Sequence, residues 1–317
     1  MELRRLGANG PEISVVGYGA WEAGGDEWGP NESDERVLEA MGTALDAGMN
    51  WVDTAEVYGA GRSEELVGQA IAGRRDEVLV FTKVGPHEWD GSGLRRADIH
   101  RAIKGSLARL KVEYVDLYQV HKPDERVPLE ETWTAMADIA DAGLARYIGL
   151  SNMDRDQVER CLRIRRVDSV QSQLSLLYRG DEDELLPWLQ SQGIGYLGYG
   201  PLAFGLLTGA LAADHAFPPG DWRGQARIEG EGLFGDEAFA AAVAAAARLR
   251  ELGARVGLAP SLLALRWALA RPGVTGVIAG SRNPAHVAEN ARAGSVPVDA
   301  DTLAEIEAAG STRAALG

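Results

Sequence analysis

The sequence predicts an α/β protein built on a (β/α)8 barrel, a closed ring of parallel strands surrounded by helices. Eight short apolar runs recur along the 317 residues. Amphipathic stretches of helical length separate these runs. Helices between consecutive strands imply parallel strands joined by right-handed crossovers.

The elements follow in order along the chain. Residues 2–17 form a hairpin pattern, because Asn9-Gly10-Pro11 turns the chain between two short apolar segments. The predicted barrel strands are 15–19, 50–53, 78–83, 115–121, 147–151, 169–173, 195–199 and 274–280. The predicted helices are 33–47, 63–72, 97–110, 129–142, 155–166, 182–192, 236–270 with a break near Gly257 and Pro260, 284–292 and 299–309.

Helix ends carry recognisable residues. Ser33 and Asp34 provide a cap for the first helix, and Pro128 opens the fourth where a missing N–H costs little. Gly48 and Gly143 stand where helices end, as left-handed residues after a helix do.

A doubly wound open sheet is the competing architecture. Such a sheet usually carries G-x-G-x-x-G after its first strand. Here Gly17-Tyr18-Gly19-Ala20-Trp21-Glu22 lacks the third glycine, so that fingerprint is absent. Neither a linker nor a shift in composition interrupts the pattern, and we expect residues 1–317 to form a single domain.

Composition excludes several classes of function. Lys and Arg number 32 and Asp and Glu number 47, so the formal net charge is 32 − 47 = −15. That balance argues against a nucleic-acid surface, which needs clustered cations. The single cysteine, Cys161, rules out an intrachain disulfide and is expected to be a packed thiol. No signal-peptide pattern and no apolar run of about 20 residues occurs, so we expect a cytoplasmic protein without membrane contact.

Four polar residues follow successive predicted strands. Asp53 ends the second strand and Tyr58 lies in the next loop, while Lys83 and His121 end the third and fourth. Each alone is commonly structural, since a buried Asp or Tyr is usually only hydrogen-bonded and a Lys reaches toward solvent. Because a barrel places the carboxyl ends of its strands at one mouth, the four are expected to converge there.

This quartet suits proton transfer to a carbonyl oxygen. Tyr58 keeps its proton at neutral pH, since the pKa of a free phenol is about 10. An ammonium at Lys83 would lower that pKa and make Tyr58 a better acid, while Asp53 would keep the lysine charged and in place. His121 would hydrogen-bond the substrate oxygen. No side chain donates hydride, so a redox reaction requires a cofactor.

The sequence motifs resemble those of the aldo-keto reductases. The matching segments are Asp53-Thr54-Ala55-x-x-Tyr58-Gly59-x-Gly61-x-Ser63-Glu64, Lys83, Gln119-x-His121, 148–152, 199–209, and Gly280-Ser281-Arg282-x-Pro284 with Glu289-Asn290. They stand in the family's order along nearly the whole chain. The resemblance implies a barrel closed at its base by the hairpin, an extended NADP(H) and a small carbonyl substrate.

The resemblance also implies a role for each matching position. Tyr58 would be the acid–base residue, tuned by Lys83 and Asp53, with His121 orienting the carbonyl. The implied cofactor contacts are Gly19, Ala20, Trp21 and Asp53 near the reacting end, Ser151, Asn152 and Gln171 at the carboxamide, Tyr199 stacked on the ring, Gly200, Pro201, Leu202, Ala203 and Phe204 around the pyrophosphate, and Gly280, Ser281, Arg282, His286, Glu289 and Asn290 at the adenosine end. Ser281 and Arg282 suit a 2′-phosphate, which favours NADPH over NADH.

Some positions depart from the family pattern or lie outside it. Gly200, Leu174 and Ala210 stand where many members have Ser, Tyr and Lys, which bears on cofactor affinity and preference. Four loop tryptophans, Trp21, Trp28, Trp89 and Trp222, are expected to border the mouth, either as walls for an apolar carbonyl compound or as lid packing. Residues 217–223 are expected to fold over the cofactor.

Two other functions compete with that of a carbonyl reductase. The same fold serves as a nucleotide-sensing regulatory subunit in channel β-subunits, in which the quartet would remain while turnover would be slow. A barrel hydrolase or metal enzyme is disfavoured, because the five histidines lack ligand spacing and no second acid pairs with Asp53. The sequence therefore predicts a reductase without a metal.

Overall fold

Eight parallel strands close into a barrel in the computed structural model, which describes residues 1–25, 27–86, 93–230 and 232–310. A two-stranded antiparallel hairpin, β1 (Leu3–Arg5) and β2 (Glu12–Ser14), precedes it. The barrel strands are β3 (Val16–Gly19), β4 (Trp51–Asp53), β5 (Leu79–Val84), β6 (Val115–Val120), β7 (Ala145–Ser151), β8 (Ser169–Gln173), β9 (Gly195–Tyr199) and β10 (Val274–Ala279). β10 pairs with both β9 and β3, which closes the ring and confirms the predicted fold class.

Helices connect the strands around the outside of the barrel. They are α1 (Asp34–Asp46), α2 (Arg62–Ala70), α3 (Arg96–Leu110), α4 (Leu129–Asp141), α5 (Arg155–Leu162), α6 (Leu185–Ser191), α7 (Trp222–Glu229), α8 (Asp236–Val256), α9 (Pro260–Leu269), α10 (Pro284–Arg292) and α11 (Ala300–Gly310). The predicted cap at Ser33 is confirmed, since its hydroxyl accepts from the Arg36 N–H at 3.3 Å.

Three helices differ from the sequence prediction by three residues or more. α5 ends at Leu162 rather than at 166. α6 begins at Leu185 rather than at 182 because Pro187 lacks an N–H and fits only the first turn of a helix. α7 was not predicted. It lies in the insert between β9 and α8, residues 210–235, and the Asp221 side chain caps it by accepting from the Arg223 N–H at 3.0 Å.

The barrel interior changes from apolar to polar along three of its strands. An apolar layer at the base consists of Leu6, Ile13, Trp51, Phe81, Leu117, Leu197 and Ile278. Leu6 and Ile13 come from the hairpin region, so that segment plugs the base of the barrel. Two residues further along three of these strands, the inward positions are polar: Asp53, Lys83 and Gln119. The barrel interior thus has a polar layer of side chains toward the carboxyl ends of these strands and an apolar layer at its base.

Candidate active site

Asp53 lies at the centre of the polar layer and is 3% exposed. One carboxylate oxygen accepts from Lys83 Nζ at 2.5 Å. The other accepts from Gln171 Nε2 at 2.9 Å and from Gln119 Nε2 at 3.3 Å. Donors on three other strands, β5, β6 and β8, therefore fix both oxygens of this carboxylate. The role of Gln119 was missed, because no local pattern joins it to Asp53.

The ammonium of Lys83 connects Asp53 with Tyr58. Besides the carboxylate, it donates to the Thr54 carbonyl at 3.0 Å and to the Tyr58 hydroxyl at 3.3 Å. Burial alone lowers the pKa of Lys83, but the Asp53 carboxylate and the Tyr58 hydroxyl outweigh burial and raise that pKa above its ordinary value. Lys83 therefore stays charged at neutral pH, as predicted.

Tyr58 enters the site from the loop after β4. It begins a short 3₁₀ turn in which Gly59, Ala60 and Gly61 all have positive φ. A Cβ on Gly24 would lie 2.7 Å from the Gly59 nitrogen, so glycine at 24 lets the neighbouring loop touch this turn. The strained turn aims the phenol back toward Lys83.

Two opposing effects, burial and the charge of Lys83, set the pKa of Tyr58. Burial raises the pKa of Tyr58 above its ordinary value, and this effect exceeds the lowering by Lys83. Asp53 adds a smaller upward contribution. The lysine acts in the predicted sense, but a phenol in this pocket holds its proton more firmly than one in water.

His121 packs against the phenol of Tyr58. The Tyr58 and His121 rings meet edge to face, with 5.6 Å between centroids. The amide of Asn152 donates to the His121 carbonyl at 2.9 Å, and the Tyr199 hydroxyl donates to the Asn152 side chain at 2.8 Å. Asn152 has a positive φ of 56°, which is uncommon for a residue other than glycine. The predicted quartet and two predicted cofactor residues thus lie together.

The loop after β9 carries a run of left-handed residues. Gly200 and Gly205 have φ of 65° and 99°, and Ala203 and Phe204 have φ of 49° and 54°. Positive φ in residues with side chains is costly and clusters at ligand clamps. Turns of this kind bring backbone N–H groups together and form concave anion-binding sites.

The loop after β10 contains the residues predicted for the adenosine end. The Tyr18 hydroxyl donates to the Ser281 carbonyl at 3.0 Å, and Ser281 Oγ lies 3.4 Å from His286 Nδ1. The Arg282 guanidinium donates to the carbonyls of Trp28 and Pro30 at 2.8 and 3.1 Å. Of the remaining predicted residues here, Asn290 is buried and Glu289 pairs with Arg292 at 2.8 Å.

An aromatic cluster borders the mouth next to Tyr58. Trp21 lies between the Tyr58 and Trp222 rings, with centroid distances of 6.1 and 5.6 Å. Trp28 and Phe204 pack edge to face against Trp222 at 5.7 and 5.2 Å. The segment 217–223 therefore joins this cluster, as a bridge between Trp28 and Asp221 also shows. Trp89 lies outside the described residues.

Within the ranges given above, no group of three His, Cys, Asp or Glu side chains is arranged to hold a metal ion. None of the helices described combines the length and apolar character needed to cross a membrane. Cys161 is a buried thiol, as predicted.

Comparison with known proteins identifies relatives over almost the full length. A model of the Aldo/keto reductase family matches residues 15–311. "Aldo-keto reductase YhdN" of Bacillus subtilis (strain 168) is 36% identical over 291 residues, which cover 90% of this chain and 86% of that protein. A "Probable voltage-gated potassium channel subunit beta" of Oryza sativa subsp. japonica is 33% identical, covering 92% of this chain and 91% of that protein.

Solved structures share the architecture. The glycerol dehydrogenase AKR11B4 from Gluconobacter oxydans superposes with a TM-score of 0.85 at 30% identity, covering 97% of this chain and 94% of that one. An aldo/keto reductase from Klebsiella pneumoniae in complex with NADP and acetate gives a TM-score of 0.74 at 28% identity, with 97% and 95% covered.

Proposed function

The chain belongs to the aldo/keto reductase family and is an oxidoreductase acting on carbonyl and alcohol groups, and we propose that it reduces an aldehyde or ketone with NADPH. The contact of Lys83 Nζ with both Asp53 and the Tyr58 hydroxyl carries the proposal. The reaction is reversible, so the same site oxidises the alcohol.

The residues present fit an extended nicotinamide dinucleotide. The left-handed run at Gly200 and 203–205 suits the pyrophosphate, and Ser281, Arg282 and His286 offer donors for a 2′-phosphate. Tyr199 stands beside the reacting end, where it would stack on the nicotinamide. When bound, the cofactor supplies the hydride that adds to the carbonyl carbon. The NADP complex of the Klebsiella pneumoniae protein supports this choice of cofactor.

Tyr58 donates the proton that the carbonyl oxygen needs. Its pKa is raised by burial, so the phenol is fully protonated at neutral pH. As the proton leaves, negative charge develops on the phenol oxygen, 3.3 Å from the Lys83 ammonium. Asp53 holds that ammonium charged and in position, so the lysine stabilises the developing phenolate without moving.

His121 orients the substrate. Its ring lies edge to face with that of Tyr58, and this proximity supports a shared contact of the two side chains with one carbonyl oxygen. Asn152 fixes the His121 backbone and is itself held by Tyr199. Two donors aimed at one oxygen set the carbonyl plane, which fixes the carbon for hydride addition.

The aromatic cluster shapes the substrate side of the mouth. Trp21, Phe204 and Trp222 present ring surfaces next to Tyr58, which favours a carbonyl compound with an apolar group. The indole N–H of Trp21 donates to Glu27 at 2.7 Å and so fixes the ring plane.

The test is an NADPH fluorescence titration followed by a panel of aldehydes and ketones in the same cuvette. We expect saturable binding and a loss of NADPH that depends on the carbonyl compound. Binding of neither NADPH nor NADH would refute the proposed cofactor site.

A regulatory role is the second candidate, favoured by the likeness to the probable potassium channel β-subunit of Oryza sativa. In that role the protein would bind NADPH tightly, turn over slowly and act on a partner protein. The quartet is compatible with both roles, so turnover of a carbonyl compound distinguishes them. Tight NADPH binding without loss on any carbonyl, together with a stoichiometric membrane partner on purification, would favour regulation instead.

A further inference from the structure

Arg282 projects from a well-held backbone after β10. The Tyr18 hydroxyl donates to the carbonyl of the preceding residue, Ser281, at 3.0 Å, and the Asn283 N–H donates to Ser281 Oγ at 3.1 Å. The Asn283 side chain caps α10 by accepting from the Ala285 N–H at 3.0 Å. Both chain neighbours of Arg282 are therefore fixed by hydrogen bonds.

The guanidinium of Arg282 holds a second loop, residues 27–30. Its Nη2 donates to the Trp28 carbonyl at 2.8 Å and its Nη1 to the Pro30 carbonyl at 3.1 Å. A guanidinium has five N–H donors, and these contacts use two of them. Two donors are enough for a two-point contact with a phosphate. Arg282 therefore has donors for the 27–30 loop and for a cofactor phosphate at the same time.

The 27–30 loop in turn holds the start of α7. Trp28 and Asp221 form an antiparallel bridge, and the Trp222 N–H donates to the Glu27 carbonyl at 2.8 Å. The Trp28 side chain is buried and packs edge to face against Trp222, with 5.7 Å between centroids. The position of Trp222 thus depends on contacts with the loop that the arginine holds.

Trp222 extends these contacts to the reacting end of the site. Its ring stacks on Trp21 with 5.6 Å between centroids, and Trp21 stacks on Tyr58 at 6.1 Å. Trp222 also packs edge to face against Phe204 at 5.2 Å. A continuous series of contacts therefore joins Arg282 to the aromatic cluster beside Tyr58.

We infer that Arg282 is a positioning residue for the substrate pocket: it fixes the 27–30 loop, and through this loop Trp222, and so determines how tightly an apolar carbonyl compound binds. This role is separate from any contact with a 2′-phosphate, because both acceptors are carbonyls of the protein itself. An aryl aldehyde should be most sensitive, since contacts between rings depend on their relative orientation. The inference rests on the proposed function, because it concerns binding of the carbonyl substrate.

The kinetic test uses NADH, which has no 2′-phosphate whose contact could be lost. We expect Arg282→Ala to raise the KM for benzaldehyde about tenfold at saturating NADH, since two hydrogen bonds from a charged group are lost, and to change the Kd for NADH less than about threefold. Arg282→Lys keeps the charge but lacks the planar fork that holds two carbonyls, so its KM should rise as well. Arg255→Ala is the matched control, because Arg255 is exposed on α8 and pairs with Glu305.

A double-mutant cycle tests whether Arg282 acts through the aromatic cluster. In a Trp222→Ala background, Arg282→Ala should raise the KM less than about threefold, because the ring that the loop fixes is gone. Hydrogen exchange of the cofactor-free protein provides a readout independent of catalysis. The Trp222 amide, which donates to the Glu27 carbonyl, should exchange at least about tenfold faster in Arg282→Ala than in wild type or Arg255→Ala.

Three results would each overturn the inference. They are an unchanged KM in both Arg282 variants with wild-type circular dichroism, equal rises of the KM with and without Trp222, and wild-type exchange of the Trp222 amide. Weaker NADPH binding in Arg282→Ala with an unchanged KM would restrict this arginine to the cofactor. If wild type binds neither dinucleotide, the proposed function fails, and hydrogen exchange then decides whether Arg282 holds the loop.

Discussion

Replacing Lys83 with methionine tests how the buried charges work together. Methionine has a similar length but no ammonium, so Lys83→Met deletes three contacts, with Asp53 at 2.5 Å, the Thr54 carbonyl at 3.0 Å and the Tyr58 hydroxyl at 3.3 Å. The lysine side chain is 1% exposed, so water does not replace them. Asp53 would keep only the amide donors of Gln119 and Gln171.

These contacts determine how much folding free energy and how much turnover Lys83→Met should lose. Removing one partner of a buried ion pair costs about 3–5 kcal/mol of folding free energy, and the two amides that remain on Asp53 favour the lower end. A hydrogen bond to a charged group contributes about 1.5–3 kcal/mol. Losing the hydrogen bond from Lys83 to the developing phenolate should lower kcat about 10- to 100-fold, since about 1.4 kcal/mol corresponds to a tenfold change in rate.

The assay pairs urea unfolding with turnover of an aldehyde at saturating NADPH. Lys104→Met is the control, since Lys104 is exposed on α3 and its loss should leave both quantities unchanged. The reasoning fails if Lys83→Met keeps the unfolding midpoint and kcat of the control. A lower urea unfolding midpoint with an unchanged kcat would show that Lys83 contributes to stability but not to turnover.

Further predictions concern the buried cysteine and two glycines outside the active site. Burial raises the pKa of Cys161 to about 12, so only about one thiol in 10⁴ is ionised at pH 8. A thiol reagent should therefore label the native protein far more slowly than the urea-unfolded chain. Rapid labelling of the native protein would contradict the buried placement of Cys161. Gly17→Ala would put a Cβ 2.1 Å from the Trp51 indole and should lower the thermal midpoint by an amount corresponding to about 1–3 kcal/mol or more. A Cβ on Gly42, in α1, would meet nothing within 4 Å, so Gly42→Ala should stabilise the folded protein by about 0.5–1 kcal/mol. Shifts of the thermal midpoint in the same direction for both glycine variants would contradict these two predictions.

The barrel and the quartet were predictable because both depend on a local period. Strand residues two apart share a face, so the apolar Trp51 and Phe81 predict that Asp53 and Lys83 also point inward. Parallel strands then bring these ends to one mouth. The N-terminal hairpin was readable from Asn9-Gly10-Pro11, although its role as a plug depends on the barrel it closes.

Other features depend on register and burial depth, which no local pattern encodes. Gln119 and Gln171 meet Asp53 across sequence separations of 66 and 118 residues. The net rise of the Tyr58 pKa depends on how deeply the phenol is enclosed, so knowledge of its charged neighbours was insufficient.

The helix α7 and the aromatic cluster were also beyond the sequence pattern. An insert with two prolines and several glycines has no clear period, and α7 spans only Trp222–Glu229. Its first residue, Trp222, is held by packing against Trp21 and Phe204 from two other loops. Those contacts exist only once the barrel places the loops together.

The most direct test of the central claim is a single-turnover measurement on wild type and Tyr58→Phe, each loaded with NADPH and mixed with an aldehyde. The account predicts that Tyr58→Phe binds NADPH as wild type does but oxidises it at least about 100-fold more slowly, because proton donation by a positioned acid contributes 10²–10⁴-fold. NADPH oxidation by Tyr58→Phe at the wild-type rate would contradict the claim that this phenol supplies the proton.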